Sequence, residues 1–132
     1  MELRYFPDPI LTTPCDKFDF NNPVFNPHEV AQELITFAHS KQQVSMSANQ
    51  VGIPYQLFVI IGEETFACFN PRIVHMGKEQ LILEESCLSY PGLNVKIKRV
   101  GEIRLRFETP SGGTTTKTFH GLTARMILHE LD

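Results

Sequence analysis

The chain has 132 residues, 42% hydrophobic and 20% charged, the composition of an ordinary globular domain and not of a disordered or fibrous chain. At this length about two-thirds of the unfolded surface can be buried, so neither a disulfide nor a structural metal is needed to hold a core. Twelve basic and fifteen acidic side chains leave a net charge of −3, with no basic excess for nucleic acid or an anionic membrane.

In chain order, the opening residues Met1 to Pro9 lack the apolar stretch of a secretion signal. The longest apolar run, Leu57 to Ile61, is far shorter than the roughly twenty residues of a membrane helix. Three cysteines cannot all pair, and reduced thiols are expected. These features lead us to expect one cytoplasmic domain over residues 1–132. Tyr5 to Pro27 holds five of the nine prolines and should run extended over the body. Asn26-Pro27-His28-Glu29 reads as a helix start, with Asn26 as cap, Pro27 at the first position and Glu29 placed for a capping box. The helix should reach about Lys41, with Val30, Leu34, Phe37 and Ala38 on its buried face.

Beyond Gln42 the pattern changes to short strands. Tyr55 to Ile61 and Thr65 to Phe69 flank a turn at Gly62-Glu63-Glu64. Asn70-Pro71 should interrupt, with a further strand at Arg72 to Met76 and another at Glu79 to Glu84. Asn94 to Arg99 and Glu102 to Glu108 alternate apolar with basic residues, as half-buried antiparallel strands do. Pro110 to Gly113 joins the latter to Thr114 to Phe119, and Leu122 to Asp132 is helical by composition. The order is that of an α+β fold.

Three stretches carry possible chemistry. Val44 to Gly52 is small and polar, a tight loop by itself, with Gln50 as an amide donor. Glu84 to Gly92 sets Cys87 in a polar turn, where a thiolate can be a nucleophile, a soft metal ligand, or merely a small buried group. Cys68 in an apolar strand and Cys15 among prolines read as structural. The chain closes with His129-Glu-Leu-Asp132, half of a His-Glu-x-x-His pattern. Leu122, Met126, His129 and position 133 step by four, three and four along one helix face, while Ala124, Leu128 and Leu131 fall on another.

Together these stretches resemble the peptide deformylase family. Its signatures are Gly-Φ-Gly-Φ-Ala-Ala-x-Gln-Φ-Gly (Φ apolar), Glu-Gly-Cys-Leu-Ser and His-Glu-x-Asp-His. Pro7-Asp-Pro-Ile-Leu11, Asn70-Pro71 and Gly121-Leu-Thr-Ala-Arg125 match the family in the same order, so the resemblance spans nearly the whole chain. Gln43 and Ser45 replace two glycines, Ser47 an alanine, Ser86 a glycine and Leu128 a glutamine. The second histidine falls at position 133, and we expect the encoded chain to continue with it.

The resemblance implies short antiparallel or mixed sheets around a central C-terminal helix that carries the metal motif. It also implies a hydrolase that removes the formyl group from N-formylmethionyl peptides, through a water activated on a divalent metal. Cys87 and His129 would ligate that metal, Fe²⁺ by family habit, with Zn²⁺ or Ni²⁺ able to substitute. Glu130 would be the general base and acid, and Gln50 and the Leu88 backbone N–H the oxyanion donors. Asp132 would orient a ligand histidine. Ser45, Met46, Leu83, Glu85, Leu122 and Met126 would bind substrate or support its pocket, although Leu83, Leu122 and Met126 suit a core equally well. The expected partners are formylmethionyl peptide and the ribosome exit, with no direct nucleic acid, no membrane, and a monomeric state. The setting is a bacterial or phage-infected cell. Two other readings stand beside this one: a deformylase-like binding module without catalysis, and a cysteine hydrolase with Cys87 as nucleophile. The latter leaves Glu130 and Gln50 without work.

Overall fold

The computed structural model describes residues 1–62, 64–77, 80–86, 94–100 and 102–120, with 80–86 and 94–100 described by their backbone. The N-terminal arm is extended as expected, apart from one 3-10 turn at Pro9–Leu11 that Asp8 caps through the Ile10 N–H at 3.1 Å. The arm is held by its aromatic residues. Phe18 is buried, with ring centroids 4.7 Å from Phe25 and 5.2 Å from Phe69, and Asp16 makes an isolated parallel bridge to Tyr55.

The helix α1 spans Pro27–Ser40. Asn26 Oδ1 accepts from the His28 and Glu29 N–H groups at 3.0 and 3.3 Å, covering donors that the first turn cannot satisfy. Its deeply buried residues are Ala31, Leu34 and Ala38. Of the expected face, Val30 and Phe37 lie at its margin and Ala31 takes the centre, because the buried line rotates toward the small side chain that lets the helix approach the sheet. The helix ends in a Schellman turn. Gln42 adopts φ 56°, its N–H reaches the His39 C=O at 3.0 Å, and the Gln43 N–H reaches the Ala38 C=O at 2.9 Å. This stop turns the chain directly into the first strand.

A five-stranded sheet follows the order β1-β2-β3-β6-β7, formed by β1 Ser45–Ser47, β2 Leu57–Ile60, β3 Phe66–Met76, β6 Glu102–Glu108 and β7 Thr114–His120. All its pairings are antiparallel. The strands β4 Gln80–Ser86 and β5 Asn94–Val100 form a separate antiparallel pair. In β2 all four residues are buried. Leu57 and Val59 face α1, Leu34, Met46 and Phe69, while Phe58 and Ile60 join Cys68, Ile103, Leu105 and Phe107 on the opposite side. A strand covered on both faces reads as an unbroken apolar run.

Two expectations change. The stretch Val44 to Gly52 is not simply a loop, since Ser45, Met46 and Ser47 pair with Ile60, Val59 and Phe58. Asn70-Pro71 does not end a strand. β3 runs through it for eleven residues, with a register shift between Phe69 and Arg72 that absorbs the missing proline N–H. Asn70 sits there at φ 50°, and its side chain makes the bonds a ladder would have made. Oδ1 accepts from the Phe18 N–H at 2.7 Å, and Nδ2 donates to the Phe18 C=O and to Glu108, both at 2.9 Å. Of the two sheet forms expected, the antiparallel one is found in every strand pair among the described residues, with one isolated parallel bridge between Asp16 and Tyr55. The helix expected over Leu122 to Asp132 lies outside the described residues. Among the described residues, no helix is long and apolar enough to cross a membrane.

Candidate active site

The site is built outward from Gln50, the one buried polar side chain among those described. β1 leads into a 3-10 turn, Ala48–Val51, that carries it. Two features fix that turn to the body. Ala48 and Val51 are buried in the core between α1 and the sheet, and the Arg4 N–H of the N-terminal arm donates to the Gln50 C=O at 2.7 Å.

The side chain of Gln50 is fixed as well. Ser47 and Gln50 form a capping box, in which the Ser47 N–H donates to Gln50 Oε1 at 2.9 Å. The carbonyl end of the amide is thereby turned toward Ser47, and the donor end, Nε2, away from it. The turn closes at Gly52, whose φ of 86° is left-handed and whose N–H reaches the Asn49 C=O at 3.1 Å. An ideal Cβ on Gly52 would stand 2.8 Å from Arg4 Nε, so the arm's guanidinium lies against bare backbone.

β1 is an edge strand of its sheet. The Ile61 N–H donates to the Val44 C=O at 2.8 Å. By antiparallel alternation Val44 and Met46 turn their backbone polar groups toward β2, and Ser45 and Ser47 turn theirs to the other side. The Ser47 N–H is found on Gln50, as that alternation requires. Met46 needs a correction. It was expected among the substrate-binding residues, but its side chain is fully buried beside Leu34, Leu57 and Val59 and packs into the core. The sequence reading passed over Val44, an apolar side chain 55% exposed at the entrance to β1. The apolar position before Ser45 in the first signature was the available signal.

The cysteine chemistry divides clearly. Burial pushes the Cys68 thiol far up, only weakly countered by the Lys117 ammonium, so it is no thiolate at neutral pH. Cys15 is also raised, first by burial and then by Asp16. Among the described residues, no group of three or more His, Cys, Asp and Glu side chains could hold a metal. Leu83 and Glu85 lie in β4, in register with Ile97 and Val95. That strand runs to Ser86, two residues beyond the expected end, and so delivers the backbone to Cys87. Cys87, Leu88, Leu122, Met126, His129, Glu130 and Asp132 themselves lie outside the described residues.

A cavity of about 620 Å³ adjoins the Gln50 turn, and Ser47, Asn49, Cys15, Tyr55 and Leu57 are among its walls. The described part of the site thus offers a buried amide held through its carbonyl oxygen and an edge strand beside it. Such an arrangement can present hydrogen-bond donors to a carbonyl and backbone pairing to an extended peptide.

Known proteins share this architecture. The polypeptide deformylase family model matches residues 1–132. The peptide deformylase of Thermotoga petrophila is 32% identical over 134 residues, 98% of this chain and 79% of its relative. The crystal structure of peptide deformylase from Thermotoga maritima aligns with a TM-score of 0.92 at 29% identity, covering 99% of this chain and 88% of its own. That of a peptide deformylase from Synechococcus elongatus, in complex with actinonin, aligns with a TM-score of 0.92 at 26% identity, covering 100% and 72%. With the Gln50 turn and the edge strand in place, and with a match along the whole length, the chain belongs to the polypeptide deformylase family and is an enzyme of that type.

Proposed function

We propose that residues 1–132 act as one catalytic domain that removes the formyl group from N-formylmethionyl chains, with Gln50 and the Leu88 backbone N–H receiving the oxyanion and Glu130 moving the proton. The observation that carries this reading is the Gln50 amide, buried and held through Oε1 by Ser47. A donor fixed before the reaction costs no reorganisation when charge develops on the carbonyl oxygen, and losing one such donor typically costs roughly 3–4 kcal/mol of barrier.

The donor set fits a divalent metal. Cys87 and His129, with the histidine expected at position 133, would hold it, and thiolate with imidazole suits Fe²⁺, Zn²⁺ and Ni²⁺, of which Fe²⁺ is the family's usual choice. When bound, the metal acidifies water and polarises the formyl carbonyl. Glu130 then takes a proton from the attacking water and passes it to the amine nitrogen as the C–N bond breaks, leaving formate and a free methionyl amine. Asp132 accepts a hydrogen bond from a ligand histidine and sets its ring. Glu85 anchors the Cys87 loop, and Leu83, Leu122 and Met126 wall the methionine side chain. Ser45 turns its backbone groups to the side of β1 opposite β2, where an extended substrate would pair. We place the enzyme in the cytoplasm of a bacterial or phage-infected cell, working as a monomer on chains leaving the ribosome. The reading as a binding module without catalysis is not favoured by a family match over residues 1–132.

The test is Glu130→Gln in the chain carried through its encoded C-terminus, loaded with Ni²⁺ and assayed on a formylmethionyl tripeptide. kcat should fall by roughly 10²–10⁴ while metal content stays at the parent level. Cys87→Ala should lose metal and turnover together. A Glu130→Gln enzyme as fast as the parent overturns the assignment.

A further inference from the structure

We propose that the Ser47 hydroxyl is a positioning group for Gln50, closing the turn that aims the amide. The inference rests on the reading of Gln50 as an oxyanion donor and adds a residue that the family signature does not supply. At position 47 that signature has alanine, which offers only its backbone. In this chain the backbone N–H of Ser47 already holds Gln50 Oε1. The hydroxyl adds two further ties. It completes the capping box toward the Gln50 N–H, and it donates to Asn49 Oδ1 within the same turn. A single oxygen therefore links the residue before the turn to its second and third residues.

The tie matters because, beyond the burial of Ala48, little else defines this turn at its start. Ala48–Val51 is four residues long, too short for helical cooperativity to hold its first N–H groups in place. The opposite end is secured by Gly52 and by the Arg4 N–H on the Gln50 C=O. Ser47 is only half-buried and borders the cavity of about 620 Å³. With alanine there, the Gln50 N–H and the Asn49 amide would turn to solvent in that cavity, and the Gln50 side chain would rock about its backbone. A donor that acts in the transition state is sensitive to such motion, whereas ground-state peptide binding is not.

The experiment is a double-mutant cycle on the metal-loaded, full-length enzyme, with kcat and KM measured on a formylmethionyl tripeptide and rates normalised to folded protein. Ser47→Ala should lower kcat by about 3- to 10-fold, a fraction of the roughly 10²–10³-fold attached to losing an oxyanion donor outright, with KM unchanged. Ser47→Thr, which keeps the hydroxyl, should restore kcat. In a Gln50→Ala background Ser47→Ala should have no further effect, because nothing is left to aim. If Ser47→Ala lowers kcat equally in both backgrounds, or if threonine does not rescue it, the hydroxyl is merely structural and the proposal is overturned. If Gln50→Ala is slow but Ser47→Ala matches the parent, this inference fails and the donor role of Gln50 stands. If Gln50→Ala itself turns over normally, the donor reading fails, and this inference with it.

Discussion

Gly52 allows a quantitative check on how the Gln50 turn is held. Its φ of 86° is a conformation an L side chain reaches only at a cost, about 1–2 kcal/mol for alanine, partly offset by the narrower unfolded ensemble of alanine, about 0.5 kcal/mol. A Cβ would also meet Arg4 Nε at 2.8 Å, Nη2 at 3.0 Å and Cζ at 3.2 Å. That contact is with the far end of a flexible side chain, which can swing away. Doing so gives up the 3.7 Å pair between Arg4 and Asp8, whose side chains are 52% and 30% exposed, worth no more than about 1 kcal/mol. Gly52→Ala should therefore destabilise the protein by about 1–2 kcal/mol, read as a lower urea midpoint at unchanged m-value. The two components separate in a second comparison. Arg4→Ala/Gly52→Ala measured against Arg4→Ala alone should still show about 1 kcal/mol, because the backbone strain survives when the guanidinium is gone. Deformylation by Gly52→Ala should slow in kcat, since relief of the strain would shift Gln50 two residues away. A Gly52→Ala protein as stable as the parent would refute the argument.

Three further outcomes are expected. Asn70→Ala strands the Phe18 N–H and C=O and leaves alanine at φ 50°, so urea unfolding should show a loss of roughly 3 kcal/mol; recovery of parental stability by Asn70→Gly would show that strain alone was at issue. Cys68 is pushed up from an ordinary value of 9.0, so above that pH the unfolded chain binds fewer protons than the native one and stability must fall as pH rises. The slope approaches about 1.4 kcal/mol per pH unit, and Cys68→Ala should flatten it in urea titrations between pH 9 and 10.5; equal slopes would place the thiol outside the core. Ser45→Gly removes a Cβ from the strand proposed to pair with substrate and should lower KM for a formylmethionyl tripeptide at similar kcat, whereas an unchanged KM would show that the side chain does not narrow the groove.

How far the fold was legible depended on where each segment's information lies. Glu102–Glu108 and its hairpin to Thr114–His120 match expectation closely, because one face meets solvent and the period of two is written in the residues. Asn70-Pro71 misled because the rule that proline breaks strands ignores a side chain able to stand in for the ladder, and the partner it uses, Phe18, is 52 residues away in sequence. β1 was invisible for a related reason. Three small residues carry no period, and their strand character comes from β2, reached only after the chain turns back. The same brevity hid which way Met46 points, so a residue whose side chain is fully buried was placed among the substrate-binding residues.

The site shows the opposite balance. Gln50 was legible from a signature of residue types, since chemistry that needs an amide donor leaves a glutamine in the sequence wherever the chain runs. What makes that amide usable was not legible, because each of its supports is a contact and not a residue type: the Schellman stop of α1 that feeds β1, the Arg4 N–H on the turn, and the register that sends the Ser47 N–H outward. Ser47 illustrates the difference. Against the family signature it counts as a departure, serine in place of alanine. In the fold its backbone holds the glutamine and its hydroxyl closes the turn. The substitution is here an added constraint, which residue types alone do not show.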